Sequence, residues 1–309
     1  MRARLRDFVI TEQDWIFAVV AYDRGGEGLE CVLRYVPDAH GDRDSARGRY
    51  RKVGFEEAYE FLRARRPEYL DTVHTVPKGA IKELLRPATQ LPRIAARNEK
   101  VRAVYEFLSR HIPQDRIGIT GSYLCGLHAP DSDLDFVIYG REQFDAARAA
   151  VAGARNAAVT GELPEALWQR LYRKRNPELS YEVFIAHEKR KGHRGTISGT
   201  YFDLLYVRDD AELQLLDHWN YEKGERVGYR TITAEVLEAS FAFDSPAIYA
   251  VDHPEIAKVL SFTHTYAGQA VVGETIEARG MVERTSHETR LVVGTTREAR
   301  GEWIRSLSL

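Results

Sequence analysis

Cysteine is almost missing from this chain: Cys31 and Cys125 are the two among 309 residues. Two thiols without metal-type spacing exclude a zinc ribbon and a disulfide framework, and they point to a reducing cytoplasm. Long apolar runs are missing too. No stretch approaches the about 18 uninterrupted apolar residues of a membrane span. The opening "MRARLRDFVITEQDWIF" is basic but lacks the apolar core of a secretory signal. We therefore expect no membrane association. There is no surplus of one charge sign either: 44 Lys and Arg stand against 46 Asp and Glu. Any contact with nucleic acid must then come from a local basic patch rather than from the charge of the whole. Asparagine is scarce while Arg, Glu and Lys are plentiful, which leans towards a thermophilic source.

What is present is 44% hydrophobic residues, enough at this length for two or three cores. Residues 7–22 read as a β-hairpin or a broken strand, with "TEQD" as the turn, and "LECVLRYV" as a further strand. "PDAHGDRDSARG" reads as a polar loop. Phe55, Ala58, Phe61 and Leu62 recur at helical spacing, and Pro67 ends that helix. Residues 1–90 thus form an expected small α+β domain that carries no chemical motif. "LLRPATQLPRIAARN", with two prolines, reads as a linker. A middle domain over 91–212 follows. It has a helix bearing Val101, Val104, Tyr105 and Leu108, a short strand "RIGITG", three further helices, and a strand pair in "GTISGTYFDLLYV". Ser180 is placed to cap the last of those helices. Alternating strands and helices imply a mixed sheet with helices against it. From 213 to 309 we expect about five strands, a small OB-like β-barrel, and a final amphipathic helix, "TREARGEWIRSL". "EARG" occurs at 277–280 and again at 298–301, in contexts too different for a repeat.

The chemistry is concentrated in "GSYLCGLHAPDSDLDFVIY", residues 121–139. Alternate side chains of a strand share a face, so Asp133 and Asp135 point the same way, about 6–7 Å apart. At an effective dielectric near 20 they repel by roughly 2.5–3 kcal/mol. A bridging divalent cation converts that cost into a site. Mg²⁺ suits it, taking hard oxygens from one or two carboxylates together with substrate phosphates. Upstream, Gly121 lets backbone approach a ligand, and Ser122 offers a hydroxyl near a helix N-terminus, where phosphates bind. Asp131 follows Pro130 and reads as a loop residue.

Gly-Ser, a ten-residue spacer, then Asp-x-Asp before an apolar strand resembles the signature of the DNA polymerase β-type nucleotidyltransferase superfamily. The arrangement is also similar to an uncharacterised group of archaeal nucleotidyltransferases. The resemblance covers roughly residues 98–210. It implies an α+β fold: a polymerase β-like domain, with a mixed sheet and flanking helices, between the N-terminal α+β domain and the barrel. It implies a third acid on a later strand, best matched by Asp203 in "TYFDLLYV"; Glu182 competes, but "LSYEVFIAHEKR" reads as a helix. It further implies that Asp133, Asp135 and Asp203 hold two Mg²⁺ ions, that Asp203 can accept the acceptor's proton, and that Gly121 and Ser122 bind the NTP substrate. The reaction implied is transfer of a nucleoside monophosphate to an acceptor hydroxyl, with pyrophosphate leaving.

Two basic clusters lie between these acids. Arg170, Arg173, Lys174 and Arg175 form one; Lys189, Arg190, Lys191 and Arg194 form the other. Each is either a solvated helix face or a phosphate contact, and we assign Lys189, Arg190 and Arg194 to the nucleotide. His187 and His193 read as surface residues, His128 as no phosphate ligand, and Cys125 as buried packing. In the barrel, Tyr229, Phe241, Phe243, Tyr249, Phe262 and Tyr266 either stack bases or fill the core. RNA, a tRNA end included, is the favoured acceptor, with a protein acceptor next. The alternatives are a protein-modifying enzyme of the toxin-paired kind and a binding module without turnover.

Overall fold

The computed structural model describes residues 2–156, 160–161, 163–216, 220, 222–296 and 299–309, without the side chains of 155 and 156. Contacts divide the chain into two compact units, Met1–Thr160 with Thr196–Val207, and Gly161–Gly195 with Arg208–Leu309. They do not part residues 1–90 from 91–160, where we expected a boundary.

The first unit opens with β1 (Phe8–Thr11), β2 (Ile16–Val19), β3 (Gly28–Pro37), β4 (Arg43–Ser45), β5 (Gly48–Lys52), α1 (Phe55–Arg65), β6 (His74–Pro77) and β7 (Ile81–Leu85). The strands form a sheet in the order β4-β5-β3-β2-β1-β7, with β6 also on β3. Alternation along these strands serves two cores. Val9, Phe17, Leu29, Cys31 and Leu33 bury against Ala58 and Leu62 of α1. His74 sits in this core fully buried, its Nδ1 accepting from the Leu33 N–H at 3.0 Å, and burial holds it neutral at about 4.

The stretch expected as a linker is instead a helix, α2 (Pro87–Ala95). Pro87 stands at its first position, where the missing N–H costs nothing. Pro87, Leu91 and Ala95 fall one turn apart on its buried face. It lies so close to the next strand that a Cβ on Gly118 would come within 2.6 Å of Pro87. The remaining elements are α3 (Glu99–Leu108), capped by Asn98 accepting from the Val101 N–H at 3.1 Å, β8 (Ile117–Ile119), α4 (Gly121–Cys125), β9 (Leu134–Tyr139) and α5 (Arg141–Asn156). After the helices of the other unit the chain returns as β10 (Arg194–Ile197) and β11 (Thr200–Val207). The sheet runs β10-β11-β9-β8, with β9 parallel to β11 and antiparallel to β8, the mixed sheet expected.

The second unit holds α6 (Glu165–Arg175), α7 (Tyr181–Lys191, with Ser180 as cap), α8 (Asp210–Gln214), β12 (Glu225–Glu238), β13 (Ala247–Asp252), β14 (Lys258–Ser261), β15 (Thr275–Arg284), β16 (Thr289–Val293) and β17 (Trp303–Ser306). Strand order is β12-β13-β14-β16-β15, and β15 pairs back onto β12, closing a five-stranded barrel; β17 adds to β15. Its interior is apolar, with Val236, Tyr249, Val259, Ile276 and Leu291 among the residues at or near zero exposure.

The final helix we expected is not there. Residues 297–298 lie outside the described ones, Ala299 and Gly301 take positive φ, and 303–306 is a strand. Trp303, Ile304 and Leu307 fit helical spacing, but strand pairing prevails: Ile304 faces the barrel interior opposite Ala278. His187 and His193 are buried rather than exposed. His187 Nε2 accepts from the Ser306 N–H at 3.3 Å, and burial, assisted by Lys191 and Arg190, depresses it to about 3. No helix among the described residues is long and apolar enough to cross a membrane.

Candidate active site

β9 begins immediately after Asp133, and its apolar residues Leu134, Phe136 and Ile138 are fully buried. Asp135 lies half-buried between them, on the same side as Asp133. β11 is a run of buried residues interrupted by one acid, Asp203, which is 6% exposed. The parallel register sets Asp203 directly opposite Asp135. Directly opposed residues on neighbouring strands share a face and are about 4.8 Å apart. Two strands thus place Asp133, Asp135 and Asp203 along one side of one sheet.

The Gly-Ser turn arrives at the same place from β8. The Thr120 N–H donates to the Asp135 carbonyl at 2.9 Å. Gly121 then takes φ +69°, and a Cβ there would stand 3.0 Å from Asp135 Oδ2. Glycine is required twice over, for the left-handed backbone and for the open space beside the carboxylate. Ser122 is the second residue of α4 and half-buried. The Thr120 hydroxyl is committed to the Arg6 carbonyl at 2.7 Å and leaves the helix start uncapped by a side chain.

The loop between α4 and β9 is held by Ser132, whose Oγ accepts from the Ala129 N–H at 2.8 Å. Asp131 is exposed. His128 stacks on Tyr123 with ring centroids 4.2 Å apart, and burial followed by Lys100 lowers its proton affinity. Cys125 is buried, as expected.

The basic residues expected at the nucleotide belong to the second unit. Arg190 pairs with Glu274 at 2.5 Å and donates to the Gln269 carbonyl. Arg194, 2% exposed, pairs with Glu188, whose other oxygen meets Lys191 at 2.5 Å. These cations balance acids of their own unit; Lys189 is exposed. Of the six barrel aromatics, Tyr249 and Tyr266 are core residues. Phe241 lies under the Arg208 guanidinium at 3.7 Å, and Phe243 fills the space over Gly268. Tyr229 and Phe262 remain outward at 47% and 45% exposure.

Sequence reasoning missed the contribution of the N-terminal sheet. Its second face, with Phe8, Ile10, Ile16, Tyr35, Tyr50 and Leu85, buries against Leu124, Cys125 and Leu127, that is, against the Gly-Ser helix and its exit. The Tyr35 hydroxyl is pushed up to about 12, first by burial and then by the charges of Cys125 and Asp135, with Arg34 and Arg43 acting against them. The signal was the period-2 apolar pattern on both faces of the hairpin, which demands a second partner.

Among the described residues no three carboxylates, imidazoles or thiols converge closely enough to hold a metal ion. The donor set nonetheless fits a hard divalent cation. It consists of carboxylate oxygens alone, two of them on in-register strands, beside a slot that Gly121 keeps open. Mg²⁺ is ordinarily held by one or two carboxylates with substrate phosphates rather than by an all-protein cage.

Comparison with known proteins agrees with this geometry. Residues 101–196 match the family model described as a nucleotidyltransferase domain. Over 99% of its length the chain is 35% identical to an uncharacterized protein of Methanocaldococcus jannaschii, itself covered to 99%. No solved structure matches.

Proposed function

The chain belongs to the nucleotidyltransferase family and is a transferase enzyme; from that premise we propose that it moves a nucleoside monophosphate from an NTP to a hydroxyl of RNA, a tRNA end included. The observation that carries the reading is the in-register pair Asp135 and Asp203 beside Gly121. Gly121 and Ser122 receive the triphosphate, and the absence of a Cβ at 121 leaves room for a phosphate against the Asp135 carboxylate. Asp133, Asp135 and Asp203 are the oxygen ligands for Mg²⁺. When bound, it would neutralise charge on the phosphates and the attacking oxygen. The acceptor oxygen forms a bond to the α-phosphorus as the bond to the bridging oxygen breaks and pyrophosphate departs. Asp203, the most buried of the three acids, takes the hydroxyl proton. The chain's own contribution is positioning and electrostatics. Arg190 and Arg194, expected at the nucleotide, form ion pairs within the second unit.

The barrel order β12-β13-β14-β16-β15, with β14 parallel to β16, supports an OB-like identity. Outward Tyr229, with the Arg279 guanidinium 5.9 Å from its ring, supports a nucleic-acid acceptor. Two free buried thiols suit a reducing cytoplasm. The test is incubation with Mg²⁺ and each labelled NTP, with and without total RNA. We expect label on RNA, abolished by chelation and by Asp133→Ala with Asp135→Ala. Transfer that survives the double substitution overturns the site; label on protein and never on RNA overturns the acceptor.

A further inference from the structure

The N-terminal sheet carries an arginine whose surroundings set it apart. β2 and β3 pair Ile16 with Tyr35 and then Phe17 with Leu33, so Arg34 is the extra residue of a β-bulge. Bulges re-aim a side chain, and they gather beside active sites. Tyr35, next to it, belongs to the buried cluster that includes Leu124 and Cys125 of α4. The charge of Arg34 is felt by the Cys125 thiol and by the Tyr35 hydroxyl, and that of Asp135 by the same hydroxyl. Leu33 faces the opposite core while Tyr35 packs with α4, so Arg34 lies on the α4 side of the sheet.

Its neighbours are all neutralised. Arg43 pairs with Asp42, Arg47 with Glu83, Arg49 with Asp44, and Arg51 with Asp38. Among the described residues Arg34, half-buried, has no side-chain hydrogen bond or ion pair. A guanidinium withheld from solvent and without an acid suits a phosphate, to which its planar fork can donate twice.

We propose that Arg34 is a substrate-binding residue that contacts the phosphate chain of the nucleoside triphosphate held by Gly121 and Ser122. The N-terminal sheet is then one wall of the active site. This rests on the transferase reading above and adds to it a residue from outside the matched domain.

Calorimetric titration with inorganic tripolyphosphate and Mg²⁺ tests it without knowledge of the base. Arg34→Ala should bind about tenfold or more weakly than the wild type, and Arg34→Lys should recover part of the loss. The unfolding midpoint should stay in place, because no partner is lost. With NTP as substrate, KM should rise more than kcat falls. Equal affinity in wild type and Arg34→Ala overturns the proposal. So does a loss that Arg34→Lys does not relieve and that accompanies a fallen midpoint. The two readings fail separately: a wild type that binds tripolyphosphate yet transfers no label from any NTP overturns the transferase reading, while the binding comparison still decides Arg34.

Discussion

The two units bury charge in opposite ways. In the second, each deeply buried cation meets a buried acid: Glu188 lies between Lys191 and Arg194, and Arg208 meets Asp244 at 2.7 Å. Burial alone would raise the Glu188 carboxyl, but Arg194 and Lys191 hold it below its usual value. Lys191 is depressed by burial to about 8. In the first unit, acids are brought together instead. Asp133, Asp135 and Asp203 share one side of a sheet, and Asp203 interrupts an otherwise apolar strand. Charges balanced within a unit hold its parts together. Acids on one side of a sheet offer oxygens to a cationic ligand.

The comparison breaks most readily at Asp203. Asp203→Asn should lower transfer by about a thousandfold or more, roughly 4 kcal/mol in the barrier, in a labelled-NTP assay. It should leave the urea midpoint near that of the wild type. A midpoint that falls with the activity would make Asp203 a structural residue.

Glu188→Gln should do the reverse. Two buried cations would face a neutral amide, at a cost of about 3–5 kcal/mol of unfolding free energy. Denaturant titration reads that loss; an unchanged midpoint would mean that the triad contributes nothing to stability.

Asp7 shows a third solution, and its effect is the smallest per unit of pH. It is 1% exposed, and burial raises its carboxyl to about 7 despite the Arg4 N–H at 2.8 Å and the charges of Arg86 and Arg4. The folded protein holds this proton more tightly than the unfolded chain, so the stability it confers is full below about pH 4 and is lost as pH rises through 7. Asp7→Asn should remove that dependence. The gap in unfolding free energy between variant and wild type should widen by about 1.4 kcal/mol per pH unit across the window. Parallel curves would show that Asp7 is ionised throughout.

Much of the candidate site was legible because its grammar is local. Gly121, Ser122, Asp133 and Asp135 lie within one short stretch, and period-2 alternation sets two of the acids on one face. Asp203 could be picked out because one carboxylate in an apolar strand needs a reason. The barrel strands were legible from alternation and turn residues. Errors arose where a short pattern fits two structures. Pro87 and Pro92 suggested a linker, yet Pro87 opens a helix. Residues 303–306 suggested a helix, yet strand pairing prevailed.

The sequence by itself therefore determined the kind of chemistry, since residue identity and spacing over a few positions choose the ligands a cation and a phosphate require. Tertiary structure alone decided which distant residues lie side by side. The parallel register of β9 and β11 brings Asp203 beside Asp135, ion pairs engage Arg190 and Arg194 within the second unit, and the N-terminal sheet packs on α4. Pairing between distant strands, and the balance of charge inside a unit, depend on contacts that no local pattern encodes.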